Sequence, residues 1–198
     1  MTTRLVSKIQ EDVLLLTLKS DDGYPRLERT VLAAIETEMA RLAGHAALVG
    51  CVITGSERAF AAGAEIAELA ALRRGEGFAF ARRGQQAMNA VARSRRPVVA
   101  AIQGFCFGGG LDLALACQAR IATDDAAFAH PGGALGIITG WGGTQRLPRL
   151  IGKARAMEIF ITGRRVDARE AREVGLIREI VSADRFVEAA IEIARRRS

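Results

Sequence analysis

At 198 residues, 49% hydrophobic and 5% aromatic, the chain suits one domain spanning 1–198, with a core of Ala, Leu, Ile and Val. Its 21 glycines lie between apolar runs and its four prolines form no linker, which favours tight turns over disorder. A balance of 28 Lys+Arg against 22 Asp+Glu gives +6, nearly all of it arginine.

The arginines come in small clusters: Arg73-Arg74, Arg82-Arg83, Arg93/Arg95/Arg96, Arg164-Arg165 and Arg195-Arg196-Arg197. Solvated helix faces and helix C-termini are the first reading, attraction of an anionic ligand the second. No aromatic interleaving or nucleic-acid motif accompanies them, so a nucleic-acid partner is not expected. Cys51, Cys106 and Cys117 lie in apolar surroundings, an odd number without metal spacing, so neither a disulfide framework nor a metal site is expected. The N-terminus lacks a signal-peptide core, and the longest apolar stretch, 98–117, is interrupted by Gln103, Asp112 and four glycines. No membrane span is expected, and the cytoplasm is the default location.

In chain order, Arg4 to Lys19 reads as one or two strands turning at Glu11-Asp12, and Ser20 to Pro25 as a loop. Arg26 to Leu42 carries a helical stripe of Leu27, Val31, Ile35, Met39 and Leu42. A strand from Leu48 to Thr54 precedes a small-residue turn, Ala59 to Ile66. Helices follow at Glu65 to Leu72 and Phe78 to Arg93, the latter stopped before Pro97. The strand Val98 to Ile102 runs straight into Gly104-Phe105-Cys106-Phe107-Gly108-Gly109-Gly110-Leu111-Asp112, with an apolar helical run behind it. Short strands are predicted at Ala119–Ala122 and Ala127–Ala129, and a loop from Pro131 to Gly143. Helices at Thr144–Leu150, Ala154–Ile161 and Ala168–Val174 alternate with glycine stops. A last strand, Leu176–Val181, leads to a helix running to Arg197 with Asp184 as its cap. Strand–helix alternation gives an α/β class.

Two small-residue turns, each opening a helix, can aim one backbone N–H apiece at a single oxygen. The bland alternative is that both merely pack strand against helix. Neither Gly108-Gly109-Gly110 nor Gly140 to Thr144 matches a dinucleotide or ATP motif.

AFAAGAEI, PVVAAIQGFCFGGGLDLAL and GWGGTQRLPRLIGKARAMEIFITGR together resemble the enoyl-CoA hydratase/isomerase (crotonase) family, over nearly the whole chain. The resemblance implies a spiral of repeated ββα units, an acyl-CoA substrate with no other cofactor, and a homo-oligomer, trimer or hexamer. It also implies a short form of the family without its usual C-terminal helices. By motif, the N–H groups of Ala64 and Gly109 would polarise the thioester carbonyl, and Asp112 would stand where the family's hydratases carry their first glutamate. Ala62, Ala64, Ile66, Gly109, Gly132 and Trp141 would line the substrate site.

Three further departures matter. Asp112 is shorter than glutamate by one carbon–carbon bond, about 1.5 Å, and an acid there equally suits the first turn of a helix. The second glutamate position is Gly132, which has no side chain to move a proton. His130 titrates near neutrality, yet a packed strand-end residue is the first reading for it; Glu65 has the reach of a base but also suits a helix start, and Thr139 lies in the same loop. The turn that touches the nucleotide in relatives holds Asp21 and Asp22 here. A non-catalytic CoA-thioester binder is therefore the rival to an acyl-CoA hydratase or isomerase.

Overall fold

A computed structural model describes residues 2–196. Strands β1 (Arg4–Gln10) and β2 (Val13–Lys19) form an antiparallel hairpin, turning at Glu11-Asp12 as expected, with Val13, Leu14, Leu16 and Leu18 buried. The helical stripe is recovered in α1 (Arg29–Gly44), which buries Val31, Ile35, Met39 and Leu42. Its predicted start is corrected. Arg26–Leu27 is instead a short strand, β3, and Leu27 points into the same core from there, so periodicity alone did not separate it from the helix.

Three successive passes of the chain then repeat one pattern. β4 (Gly50–Thr54) leads to β5 (Ala59–Ala61), β6 (Gly63–Ala64) and the helices α2 (Ile66–Ala70) and α3 (Gly77–Ala92). β7 (Val98–Ile102) leads to β8 (Phe105–Phe107) and α4 (Gly109–Ala116). β9 (Ala119–Ala122) leads to β10 (Ala127–Ala129), a 3-10 turn at Pro131–Leu135, and the helices α5 (Gly143–Ile151) and α6 (Lys153–Thr162). Each pass gives its first strand to one sheet and its second to another, so that β4, β7 and β9 pair in parallel, as do β5, β8 and β10. β11 (Val166–Asp167), α7 (Ala168–Glu173), β12 (Glu179–Ile180) and α8 (Phe186–Arg195) complete the chain. The sheets run β1-β2-β4-β7-β9-β12 and β11-β10-β8-β5, with β3-β6 a separate pair.

The strand β8 corrects the reading in which β7 ran straight to the glycines. Gly104 turns the corner at φ +59°, and a side chain there would strike the carbonyl of Arg58. Apolar continuity across 98–107 hid that bend. The last predicted strand shrinks to β12 because the N–H groups of Leu176 and Ile177 both donate to the carbonyl of Ala171, closing α7 instead of extending the sheet. Asp184 does not cap α8: Arg185 occupies the cap position, and a hydrogen bond with the Ser182 side chain holds the Asp184 carboxyl below its usual range. The expected helix end at Arg197 lies outside the described residues.

Alternation along the buried strands splits the core. Val52, Val99, Ala101 and Ile121 face α8, whereas Cys51, Ile53, Val98, Ala100 and Ile102 face the main cluster. The three cysteines are free and buried. Among the described residues, no helix is long and apolar enough to cross a membrane.

Four of the five arginine clusters each place one arginine in ion pairs or hydrogen bonds within the chain. Arg83 pairs with Glu36 at 2.7 Å, Arg164 bridges Glu158 and Glu170, Arg195 holds Asp12 at 2.7 Å, and Arg96 donates to the carbonyls of Leu42 and His45.

Helix α4 presses backbone against backbone on the neighbouring pass: a Cβ at Gly110 would overlap the carbonyl oxygen of Ala61 and lie 2.8 Å from its Cβ. Gly110→Ala is therefore expected to destabilise the fold by about 2 kcal/mol through overpacking, despite the higher helix propensity of alanine. Urea denaturation measures this, and a variant as stable as the parent would contradict the close contact.

Candidate functional site

Sequence and spiral together place two chain segments side by side. β6 brings Ala64, and the end of β8 brings Gly108 and Gly109 at the start of α4. A Cβ on Gly109 would sit 3.3 Å from the amide nitrogen of Ala64, and one on Gly63 would sit 3.5 Å from the amide nitrogen of Gly109. No side chain stands between these backbones. Gly108, at φ +51°, turns the chain into α4 while its own N–H is held by the carbonyl of Ala129 at 2.9 Å.

Both segments border a mostly apolar cavity of about 620 Å³. Ala62, Ala64, Ile66, Gly109, Gly132 and Trp141, the residues expected at the substrate site, all border this cavity, together with Asp112. Trp141 packs on Phe80 at 5.6 Å between centroids, and wedges between α3 and α4, where the absent side chains of Gly84 and Gly109 leave it room. It is almost wholly buried, so it serves as wall and packing at once.

Asp112 lies in the first turn of α4 at 1% exposure, yet its carboxylate does not cap the helix. Oδ2 accepts a hydrogen bond from the Thr139 hydroxyl. Oδ1 faces Nε2 of His130 at 3.7 Å, and neither of those two atoms has a hydrogen-bond partner. Burial pushes the Asp112 carboxyl up to about 6, while Thr139, the Arg146 guanidinium and the N–H groups of Trp141 and Gly143 hold it back. Burial alone pushes the His130 imidazole down to about 4. His130 directly follows strand β10, packs on Phe160 at 5.1 Å between ring centroids with the planes tilted by 47°, and is 3% exposed. It is a packed strand-end residue, as expected, but one whose free nitrogen is turned to the site.

The other candidates separate. Glu65 caps α2 by accepting from the N–H of Ala67 at 3.0 Å, and does not border the cavity. Gly132 sits in the 3-10 turn, where a Cβ would come within 2.8 Å of the Ile137 carbonyl oxygen. Asp22 is consumed in its own turn: Ser20, the Tyr24 N–H and Arg26 hold its carboxyl well below the usual range. Arg146 of α5 was missed by sequence reasoning. It hydrogen-bonds Asn89 Oδ1 at 2.9 Å and the Trp141 carbonyl at 3.1 Å, and its charge acts on Asp112. No motif spacing points to it, because its partners lie on α3 and in the 136–142 loop.

The fold matches solved structures closely. An enoyl-CoA hydratase from Bacillus anthracis superposes with a TM-score of 0.90 at 35% identity, over 98% of this chain and 75% of that one. DspI from Pseudomonas aeruginosa superposes with a TM-score of 0.92 at 31% identity, over 96% of this chain and 78% of that one. The molecule thus has the α/β crotonase fold, with repeated ββα passes. Residues 8–197 match the family model described as enoyl-CoA hydratase/isomerase. A probable enoyl-CoA hydratase of Rhizobium meliloti (strain 1021) is 38% identical over 190 residues, 96% of this chain and 73% of that protein. A probable enoyl-CoA hydratase of Mycobacterium tuberculosis, echA8, is 40% identical over 185 residues, 92% of this chain and 70% of that protein. The chain belongs to the enoyl-CoA hydratase/isomerase family.

The opposed shifts of Asp112 and His130 make a stability prediction. Folding raises the Asp112 pKa from 3.8 to about 6, so this group takes up a proton on folding in that window, and its stabilising contribution is lost as pH rises through 6. Folding lowers the His130 pKa from 6.5 to about 4, so this group releases a proton, and its contribution is lost as pH falls through 4. Between pH 4 and 6 the two nearly cancel. Relative to the parent, Asp112→Asn should gain stability as pH rises from 4 to 6, and His130→Phe should lose it, each by up to about 3 kcal/mol at 1.36 kcal/mol per pKa unit. Urea midpoints at pH 4, 5, 6 and 7 test both signs.

Proposed function

We propose that the protein is an acyl-CoA-processing enzyme that forms a thioester enolate. The observation that carries this reading is the meeting, in one apolar cavity, of the Ala64 and Gly109 amides with a buried acid whose pKa lies at about 6. Two preorganised N–H donors on a developing oxyanion are worth about 2.7–4 kcal/mol each. Near neutral pH Asp112 is mostly a carboxylate, hence a base. It takes the proton from the carbon next to the thioester carbonyl; the C–H electron pair forms the carbon–carbon double bond of the enolate, and the carbonyl oxygen takes the charge. Asp112 exchanges the proton it holds with solvent, and return of a proton from it to the same carbon restores the thioester.

Hydration needs a second group for water, and residue 132 supplies none. The reading therefore favours proton transfer at the acyl carbon over hydration, and the same lack at residue 132 weighs against the family's double-bond isomerisation. Apolar side chains at and near the cavity mouth, among them Ile66, Leu135 and Ile138, are exposed and suit an acyl chain or the face of a trimer or hexamer. No cofactor beyond the CoA of the substrate, and a cytoplasmic location, belong to the same reading.

The rival, a CoA-thioester binder without turnover, is favoured by Gly132 alone. Exchange of α-hydrogens of butyryl-CoA in D2O, followed by mass spectrometry, separates the two, with crotonyl-CoA absorbance as the hydration assay. The parent should exchange, with a rate that rises with pH through about 6 as Asp112 ionises. Asp112→Ala should exchange slower by roughly 100-fold or more, the usual scale for losing a general base. Binding of butyryl-CoA without exchange in the parent would establish the binder instead.

A further inference from the structure

Two buried polar atoms in the cavity wall, Oδ1 of Asp112 and Nε2 of His130, face each other at 3.7 Å, neither in hydrogen-bond geometry with a partner, while the N–H groups of Trp141 and Gly143 act on the Asp112 carboxyl from nearby. Leaving such atoms unpaired is costly, and native proteins rarely do so without a use for them. The space between them is kept open from a third side by Gly143, where a side chain would strike Oδ1 and come within 3.1 Å of Nε2. The other carboxylate oxygen is already committed: Oδ2 accepts from Thr139. A proton arriving on Asp112 therefore has Oδ1 as its seat, and the acceptor facing that seat is Nε2.

We propose that Asp112 and His130 form one proton-holding pair, in which protonated Asp112 donates from Oδ1 to Nε2 of neutral His130. This deepens the enolate reading above and, in its catalytic consequence, rests on it. His130 is then a positioning residue. It fixes which oxygen carries the abstracted proton and holds the carboxyl in the cavity wall, oriented to take a proton from the acyl carbon and to give one back after exchange with solvent. The pair does part of what a second carboxylate at residue 132 would have done, from two residues earlier in the chain and from the strand end rather than the turn. Formation of the O–H···N bond needs the two atoms to close by about 0.9 Å, to the usual 2.8 Å or so. No net transfer to the imidazole is involved, which suits a histidine held neutral by burial.

The charged and titratable groups around the pair come from several elements. Arg146 of α5 acts on Asp112 from one side, and the Cys106 thiol of β8 is close enough to feel it. Thr139 approaches from the loop, and Phe160 of α6 closes the far side of the imidazole. Burial holds the Cys106 thiol well above its usual range, so it stays neutral throughout the window in question. Within this neighbourhood Asp112 is the group that titrates near pH 6.

The test reads the pair directly and then through turnover. In 15N-histidine-labelled protein carrying His45→Gln, which removes the other histidine, the Nε2 shift of His130 should step with a midpoint near pH 6. The step should vanish in Asp112→Asn. An Nε2 shift that ignores pH 6, or a step that survives Asp112→Asn, would overturn the pairing whether or not the protein turns over any substrate. In the butyryl-CoA exchange assay, His130→Phe keeps the packing on Phe160 and should lower the maximal rate at least tenfold, with KM within twofold. His130→Gln, which keeps a polar side-chain end, should recover most of that rate. Full-rate exchange in His130→Phe would overturn the positioning role. A parent that shows the spectroscopic step but no exchange would keep the pair and remove the enolate reading alone.

Discussion

The site depends on the contact between two neighbouring passes of the spiral, where the start of α4 lies directly against β5 and β6. Backbones can approach this closely only where side chains are missing, and Gly63, Gly109 and Gly110 supply that absence. Everything chemical follows from the distance so obtained. The amide nitrogens of Ala64 and Gly109 border one space, the first turn of α4 sets Asp112 in the cavity wall, and Trp141 fills the room left beside Gly84 and Gly109. Sheet pairing holds the two passes in register, since β5, β8 and β10 run parallel and the N–H of Gly108 is tied to the carbonyl at the end of β10. The same bond that steadies α4 thus also sits beside His130, the next residue after β10.

Burial then does opposite things to the two titratable groups that this geometry brings together. A carboxyl and an imidazole taken out of water both favour their neutral forms, so one pKa rises and the other falls. Between the two shifted values the pair holds one proton in the folded state, on the carboxyl. In the unfolded chain at the same pH it also holds one, on the imidazole. Moving the proton from nitrogen to oxygen on folding lets the protein bury both groups without burying an ion pair, which in low dielectric is a poor source of stability. That arrangement is available to an Asp–His pair and not to two carboxylates, which would share a net charge once the first ionised.

How much of this could be read from the chain varies with the kind of interaction. The stripe of Val31, Ile35, Met39 and Leu42, the buried runs of β4 and β7, and the glycine stops at Gly152 and Gly163 are local patterns, and the elements they predict are present. The cavity positions of Ala62, Ala64, Ile66, Gly109, Asp112, Gly132 and Trp141 were legible only through the resemblance to the family, not from any local period. Strand β8, the pair β3-β6 and the strand β11 were not legible, whereas β10 was. Their partners are distant in sequence, and two or three residues show no period. Arg146 escaped for the same reason, and so did the facing of His130 to Asp112 though not its strand-end packing: Asp112 lies 34 and 18 positions away from them, respectively, and no local pattern records the packing.

Gly132 shows why the departure from the family pattern is a rearrangement and not a simple deletion. In this chain the turn after Pro131 is closed by hydrogen bonds from the N–H of Gly136 to the Gly133 carbonyl and from the N–H of Ile137 to the Gly132 carbonyl. The latter bond brings the Ile137 carbonyl so near that a Cβ at residue 132 would lie 2.8 Å from it. Gly132→Glu would therefore have to move the turn before it could add a carboxylate, and the turn leads straight into Thr139, the donor to Asp112. Restoring the second acid would disturb the partner of the first. The short turn, the hydroxyl of Thr139 and the unpartnered nitrogen of His130 form one self-consistent arrangement around a single carboxylate, and the proposed proton transfer rests on that arrangement.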